Sequence, residues 1–192
     1  YNQNDRKMEN GDLVLVDAGC EYQGYASDIT RTFPVNGKFS PEQKAIYEIV
    51  LEAHKNCIEM LKPGVSWMQV HKKSIETITS GLIDIDLLKG SLEENIELEK
   101  YSKFYMHKVG HWLGLDVHDV GGYGSEGNWR LMEQGMVTTI EPGIYIKEGL
   151  EDVPEKFHKI GIRIEDDVLI ENGGHQVLGR SLRTHLGRED GC

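Results

Sequence analysis

Four carboxylates stand in stretches of this chain that otherwise read as β-strand, and that placement limits what the chain can fold around. Asp17 closes the run Leu13-Val14-Leu15-Val16, too short and too β-branched for a helix, which reads as a buried strand. Asp28 lies in a second strand-like stretch, Tyr22 to Phe33, with Gly24 inside it. A hairpin turning at Tyr22-Gln23 sets Asp17 directly opposite Asp28, with Cβ atoms about 5 Å apart. Glu141 ends a strand within Met136 to Ile146, and Glu165 falls in the alternating stretch Ile160 to Ile170. There Arg163 and Glu165 share a face opposite Ile162 and Ile164. Like charges this close repel unless something positive sits between them. Singly, each has an ordinary explanation: a turn cap, an exposed aspartate, a surface ion pair.

Histidines add to the pattern. His107, His111 and His118 fall within twelve residues, among Gly110 and Gly114, which permit close backbone approach to a ligand. On counting alone they allow a three-histidine zinc site, or acid–base work near neutral pH. Four carboxylates and at least one imidazole, with no thiolate, form a donor set suited to Mn²⁺, Co²⁺, Fe²⁺ or Zn²⁺. Four negative charges balance two divalent ions, and a pair of ions about 3.5–4 Å apart can hold a hydroxide and polarise a carbonyl. The residues thus point to a two-metal hydrolase.

The rest of the chain supplies the frame. Ser40-Pro41-Glu42-Gln43 and Ser66-Trp67-Met68-Gln69 are capping boxes. Apolar residues recur at helical spacing after each, predicting one helix that Pro63-Gly64 stops and another to about Gly81. Ser91 opens a third, short and acidic. Residues 104–124 read as a loop with short elements, and Lys147 to Lys159 as a solvated connection. Strands, helices, then strands predict an α+β fold with a mostly antiparallel sheet in one domain spanning residues 1–192. The formal net charge of −11 speaks against nucleic-acid or anionic-membrane partners. No apolar run is long enough to span a membrane. Three cysteines (Cys20, Cys57, Cys192) without CxxC spacing predict a reducing, cytoplasmic setting. The chain begins without Met and reads as a fragment or a processed product.

The segments Val16 to Phe33, Met106 to Asp119, Ile140 to Tyr145 and Gly161 to Asp167 resemble aminopeptidase P, the Xaa-Pro aminopeptidase branch of the pita-bread metallopeptidases. Order and spacing match over roughly residues 10–170. The resemblance implies a curved antiparallel sheet with helices on its outer face, and two metal ions, usually manganese. It implies metal ligands at Asp17, Asp28, His111, Glu141 and Glu165, with Asp28 and Glu165 bridging. A bridging hydroxide would attack the carbonyl before proline, and Glu141 would carry a proton to the leaving nitrogen. His107 and His118 match positions that hold substrate and stabilise the oxyanion. Arg163 matches an arginine that orients the carboxylates. The implied substrate is a peptide with proline at its second position.

Family members are roughly twice this long, and a substrate-binding histidine lies just upstream of where Tyr1 begins. The expectation is therefore a catalytic domain lacking its N-terminal part, with weakened or lost activity and open sheet edges that favour a homo-oligomer. Gly173 to Cys192 does not match the family well. Prolidases and methionine aminopeptidases share the fold and metal set, but the Trp112 to Asp119 run resembles aminopeptidase P more than either. A non-catalytic pita-bread module that binds peptide or a partner is a third reading. A plain acidic interaction domain leaves the histidines and Asp17 unexplained.

Overall fold

The computed structural model describes residues 5–179. Its first unit is a long hairpin whose arms, β1 (Leu13–Ala18) and β4 (Ile29–Pro34), enclose a smaller one, β2 (Glu21–Tyr22) and β3 (Tyr25–Ala26). The turn falls at Gln23-Gly24, not Tyr22-Gln23, because both central residues adopt positive φ (53° and 79°) and glycine makes the second one cheap. Asp17 consequently pairs with Thr30 rather than Asp28. The slip is of two residues, so each side chain keeps its face, and Asp17 and Asp28 remain neighbours along it.

The expected second strand is also split. Between β3 and β4 the backbone pinches: Ser27 N–H donates to the Cys20 carbonyl at 2.8 Å, and a Cβ on Gly19 would lie 1.9 Å from the Ser27 carbonyl oxygen. Asp28 sits in that interruption. Nor is β1 fully buried: among the described residues only β4 pairs with it, and Val16 is 45% exposed.

Both capping boxes form, with Ser40 and Ser66 accepting from the Gln43 and Gln69 amides. They open α1 (Pro41–Glu59) and α2 (Trp67–Asp84), and Ser91 caps α3 (Leu92–Glu97). Gly81 does not end α2. It is where the two helices touch, since a Cβ there would meet Ile49 Cγ1 at 2.6 Å. A small hairpin, β5 (Gly124–Ser125) and β6 (Asn128–Trp129), follows the histidine-rich loop.

The last strands come as broken pairs. β7 (Val137–Ile140) and β8 (Gly143–Tyr145) are interrupted at Glu141-Pro142. β9 (Gly161–Arg163) and β10 (Asp166–Glu171) are interrupted at Ile164-Glu165. The β9–β10 row pairs antiparallel with β8 and β7 on one side. On the other side lie β11 (Gly174–Val177) and β4, the latter through Glu165 N–H to the Thr30 carbonyl and Thr32 Oγ1 to the Arg163 carbonyl. The rows form a continuous antiparallel surface. Its back is apolar: Ile144, Ile162 and Ile164 pack against Ile46, Tyr47 and Val50 of α1. A second cluster joins Trp67 and Val70 of α2 to Val109, Trp112, Ile140 and Val168. The connection 147–159 is not simply solvated, for Val153 and Phe157 are buried in the first cluster. Of the poorly matching stretch 173–192, β11 and its flanks are described; the remainder, with Cys192, lies outside the described residues.

Candidate metal centre

Alternation puts Ile162 and Ile164 toward the helices and Arg163 and Glu165 toward the opposite face of the sheet, where Asp17 and Asp28 also point. The histidines arrive by a different device. Residues 109–113 run alongside β7 as an irregular strand: Glu141 N–H donates to the Val109 carbonyl, Thr139 N–H to His111 and Leu113 N–H to Val137, at 2.7–3.1 Å. This lays His111 beside Glu141, with Nε2 3.4 Å from Glu141 Oε1 and 3.5 Å from Asp28 Oδ2. The close approach depends on Gly110, where a Cβ would sit 2.0 Å from the Thr139 carbonyl oxygen. Gly110→Ala is expected to destabilise the chain by about 1–3 kcal/mol through forced backbone displacement. An unchanged urea midpoint would show that the strand beside β7 can yield.

One cavity of about 330 Å³ is lined by Asp17, Asp28, His107, His111, His118, Glu141, Arg163 and Glu165, together with Lys108 and Gly110. All eight side chains singled out in the sequence meet there. Three groups of ligand atoms each lie within 4.8 Å of one another: Asp17 with Asp28 and Glu165; His111 with Glu141 and Glu165; Asp28 with His111 and His118. Glu165 belongs to the first two and Asp28 to the first and third. The separations are near those of ligands each about 2.1 Å from a common ion. His111 Nδ1 faces the Trp112 carbonyl at 3.0 Å. A carbonyl only accepts, so Nδ1 carries the proton when the ring is neutral, and Nε2 is left with its lone pair toward the carboxylates.

The electrostatics are those of a site short of positive charge. Burial, then the Glu141 charge, pushes Glu165 up to about 8. Burial also raises Glu141 and Asp17, against His111 and Arg163 respectively. Burial would lower His111, but the Asp28 carboxylate and the Trp112 carbonyl outweigh it and push the ring up to about 9. The His111 hydrogen bond in turn holds Asp28 low. Without an ion, then, the site gathers protons to offset its carboxylates. An oxygen-rich set with one imidazole, crowded and under-neutralised, fits divalent cations.

Residues that sequence reasoning passed over hold the set in place. Thr30 Oγ1 donates to Glu165 Oε2 at 2.6 Å and accepts from Arg163 Nε at 3.1 Å. Thr139 Oγ1 donates to Glu141 Oε1 at 3.3 Å. Arg163 pairs with Asp17 through Nη2 and donates to the Tyr145 hydroxyl through Nη1 at 3.2 Å. Tyr145 also meets His107 Nε2 at 2.9 Å. Thr30 and Thr139 stand two residues from Asp28 and Glu141, a same-face spacing that could have flagged them. His118 is exposed, its ring 4.3 Å from that of His111.

Comparison with known proteins places this geometry. The family model of metallopeptidase family M24 matches residues 1–172. An Xaa-Pro aminopeptidase of Haemophilus influenzae is 56% identical over 178 residues, 93% of this chain and 41% of that protein. The Xaa-Pro aminopeptidase of Escherichia coli is 50% identical over 182 residues, 95% of this chain and again 41% of its relative. The chain thus spans about two fifths of the length of these relatives. The solved structure of Pseudomonas aeruginosa aminopeptidase PepP superposes with a TM-score of 0.93 at 52% identity, over 96% of this chain and 42% of that one. The pita-bread arrangement expected from the resemblance is the fold of this neighbour.

Proposed function

Since the chain belongs to metallopeptidase family M24, we propose that its cavity hydrolyses the N-terminal Xaa-Pro bond of peptides, using two divalent ions held by Asp17, Asp28, His111, Glu141 and Glu165. The observation that carries this reading is the pair of ligand groups sharing Glu165 in a cavity that also contains His107, His118 and Arg163. When bound, divalent ions supply Lewis acidity toward the scissile carbonyl and a water acidic enough to act as a nucleophile near neutral pH. Manganese is the metal of the proposal, with Co²⁺, Fe²⁺ and Zn²⁺ as substitutes.

The chain's own groups do the rest. Glu141, steadied by the Thr139 hydroxyl, takes up the proton that the attacking water releases and returns it to the leaving prolyl nitrogen. Burial lowers His107, so its ring stays neutral and, held by the Tyr145 hydroxyl, positions the substrate. His118, exposed where it lines the cavity, would donate to the oxyanion. Arg163 holds Asp17 and faces Glu165 Oε2 at 3.9 Å, orienting both carboxylates.

The test is metal analysis of the 192-residue chain with added Mn²⁺, alongside cleavage of a proline-second peptide. About two ions per chain and release of the first residue support the reading; no stoichiometric metal sinks it. Cleavage confined to Xaa-Pro dipeptides would favour a prolidase, and cleavage of a Met-Ala peptide a methionine aminopeptidase. Two ions without turnover would favour a metal-loaded peptide-binding module. Self-association along the edge of β1, which no strand covers among the described residues, belongs to the same proposal, and sedimentation of the same samples reads it. So does a reducing, cytoplasmic setting, in keeping with free thiols at Cys20 and Cys57. No helix among the described residues is long and apolar enough to cross a membrane.

A further inference from the structure

Asp28 and Glu165, the two carboxylates that recur among the ligand groups, both stand where a strand is interrupted. An interrupted strand leaves backbone groups without a ladder partner, and buried groups of that kind must be satisfied some other way. Here each gap is filled by a charged side chain from the other's segment. Arg31, three residues after Asp28, donates through Nη1 to the Glu165 carbonyl at 2.6 Å. Asp167, two residues after Glu165, accepts the Asp28 N–H at Oδ2, 3.1 Å away. Both side chains belong to buried residues, at 7% and 4% exposure.

The brace is anchored at its far end. Arg31 Nη2 donates to Asp166 Oδ1 at 2.7 Å, and Asp166 Oδ2 lies 3.2 Å from His54 Nε2 on α1. The ligand-bearing face of the sheet is thereby set against the helix layer behind it. The Arg31 contacts need two nitrogens of one planar fork, which a lysine ammonium cannot supply.

Resting on the two-ion reading above, we propose that Arg31 and Asp167 are positioning residues: a reciprocal brace that fixes the separation of the Asp28 and Glu165 carboxylates, and with it the spacing of the two ions. Neither side chain lines the cavity, so neither acts on ion or substrate directly. A shared carboxylate displaced by a fraction of an ångström no longer serves two ions equally, and outer partners of this kind change metal affinity by about 10–100-fold when removed.

The test is Mn²⁺ titration of the 192-residue chain and its variants, followed by loss of the free Mn²⁺ electron paramagnetic resonance signal. Circular dichroism and melting of each metal-free sample provide the fold control. Asp167→Ala removes the acceptor and leaves the Asp28 amide unpaired, so affinity falls about 10–100-fold in a folded chain. Asp167→Asn keeps an acceptor oxygen and recovers most of that loss. Arg31→Lys keeps the charge but not the fork and binds as weakly as Asp167→Ala. Wild-type affinity in folded Asp167→Ala overturns the brace, as does an Asp167→Asn variant no better than Asp167→Ala. Should Asp167→Ala melt too low to titrate, the comparison of Asp167→Asn with Arg31→Lys decides: tighter binding by the former supports the brace, the reverse overturns it. A wild-type chain that takes up no Mn²⁺ instead removes the two-ion reading itself, whatever the variants do.

Discussion

Glu165→Gln is expected to strip both ions from the chain and, with them, about a thousandfold or more of any peptidase activity, the several kcal/mol that Lewis-acid stabilisation supplies. The substitution is nearly isosteric. Thr30 Oγ1 can still donate to the amide oxygen at the place of Oε2, and the residue stays buried at 1% exposure. What disappears is one negative charge and one candidate ligand oxygen, at the only residue common to the Asp17 and Glu141 ligand groups. Asp17→Asn provides the contrast. Asp17 belongs to one group, is half exposed, and rests on Arg163, so its loss should weaken one ion and spare the other. Elemental analysis after gel filtration in Mn²⁺ reads both. Two ions per chain retained in Glu165→Gln would mean that Glu165 is not shared.

The second large effect is on stability, and it depends on pH. In the metal-free chain Glu165 titrates near 8, against an ordinary value of 4.5. Between those values the folded chain keeps a proton that the unfolded chain has released, so stability falls as pH rises through the window and this contribution is gone above about 8. His111, raised to about 9 from 6.5, works in the same direction over its own range. Asp167, raised by burial to about 6 from 3.8, adds to the fall at the acid end. Asp28, held low by His111, opposes them only where an ordinary aspartate would be titrating. The melting temperature in chelator should therefore drop by several degrees from pH 5 to pH 9, because Glu165 and Asp167 must ionise in buried surroundings while His111 loses its proton. Divalent ions replace those protons, so the drop should vanish in Mn²⁺ and metal-induced stabilisation should grow with pH. A melting temperature in chelator that is flat or rising over that range would show that the carboxylates are better neutralised than their burial implies.

The carboxylates and histidines were legible because they violate local expectation: an acid in an apolar strand, three imidazoles in one short loop. The helix starts were legible because capping boxes are local chemistry. Of the strand interruptions, the one at Glu141 was signalled by Pro142-Gly143, but those at Asp28 and Glu165 were not: apolar residues keep every second position from Ile160 to Ile170 apart from Asp166, and periodicity cannot report that a ladder stops. Register failed for a related reason: the turn was decided by which pair of residues tolerates positive φ, a matter of one glycine. Gly81 looked like a helix end because glycine often is one, whereas here tertiary packing against Ile49 outweighed its low propensity. Thr30 and Thr139 carried only the weak signal of standing two residues from Asp28 and Glu141, since threonine is ordinary in strands, and Arg31 gains its role only when residues 165 and 166 arrive beside it.

That late arrival bears on the order in which the molecule can assemble. The candidate ligands span Asp17 to Glu165, most of the chain, and Glu165, common to the Asp17 and Glu141 groups, comes last. On the two-ion reading no complete site exists during synthesis until Glu165 has emerged, so ions cannot nucleate the fold. The helix pair, built on nearby contacts, is free to form first. The metals would instead act as a terminal clasp, closing the long loops between the N-terminal hairpin and the last strands, where cross-links restrict an open chain most.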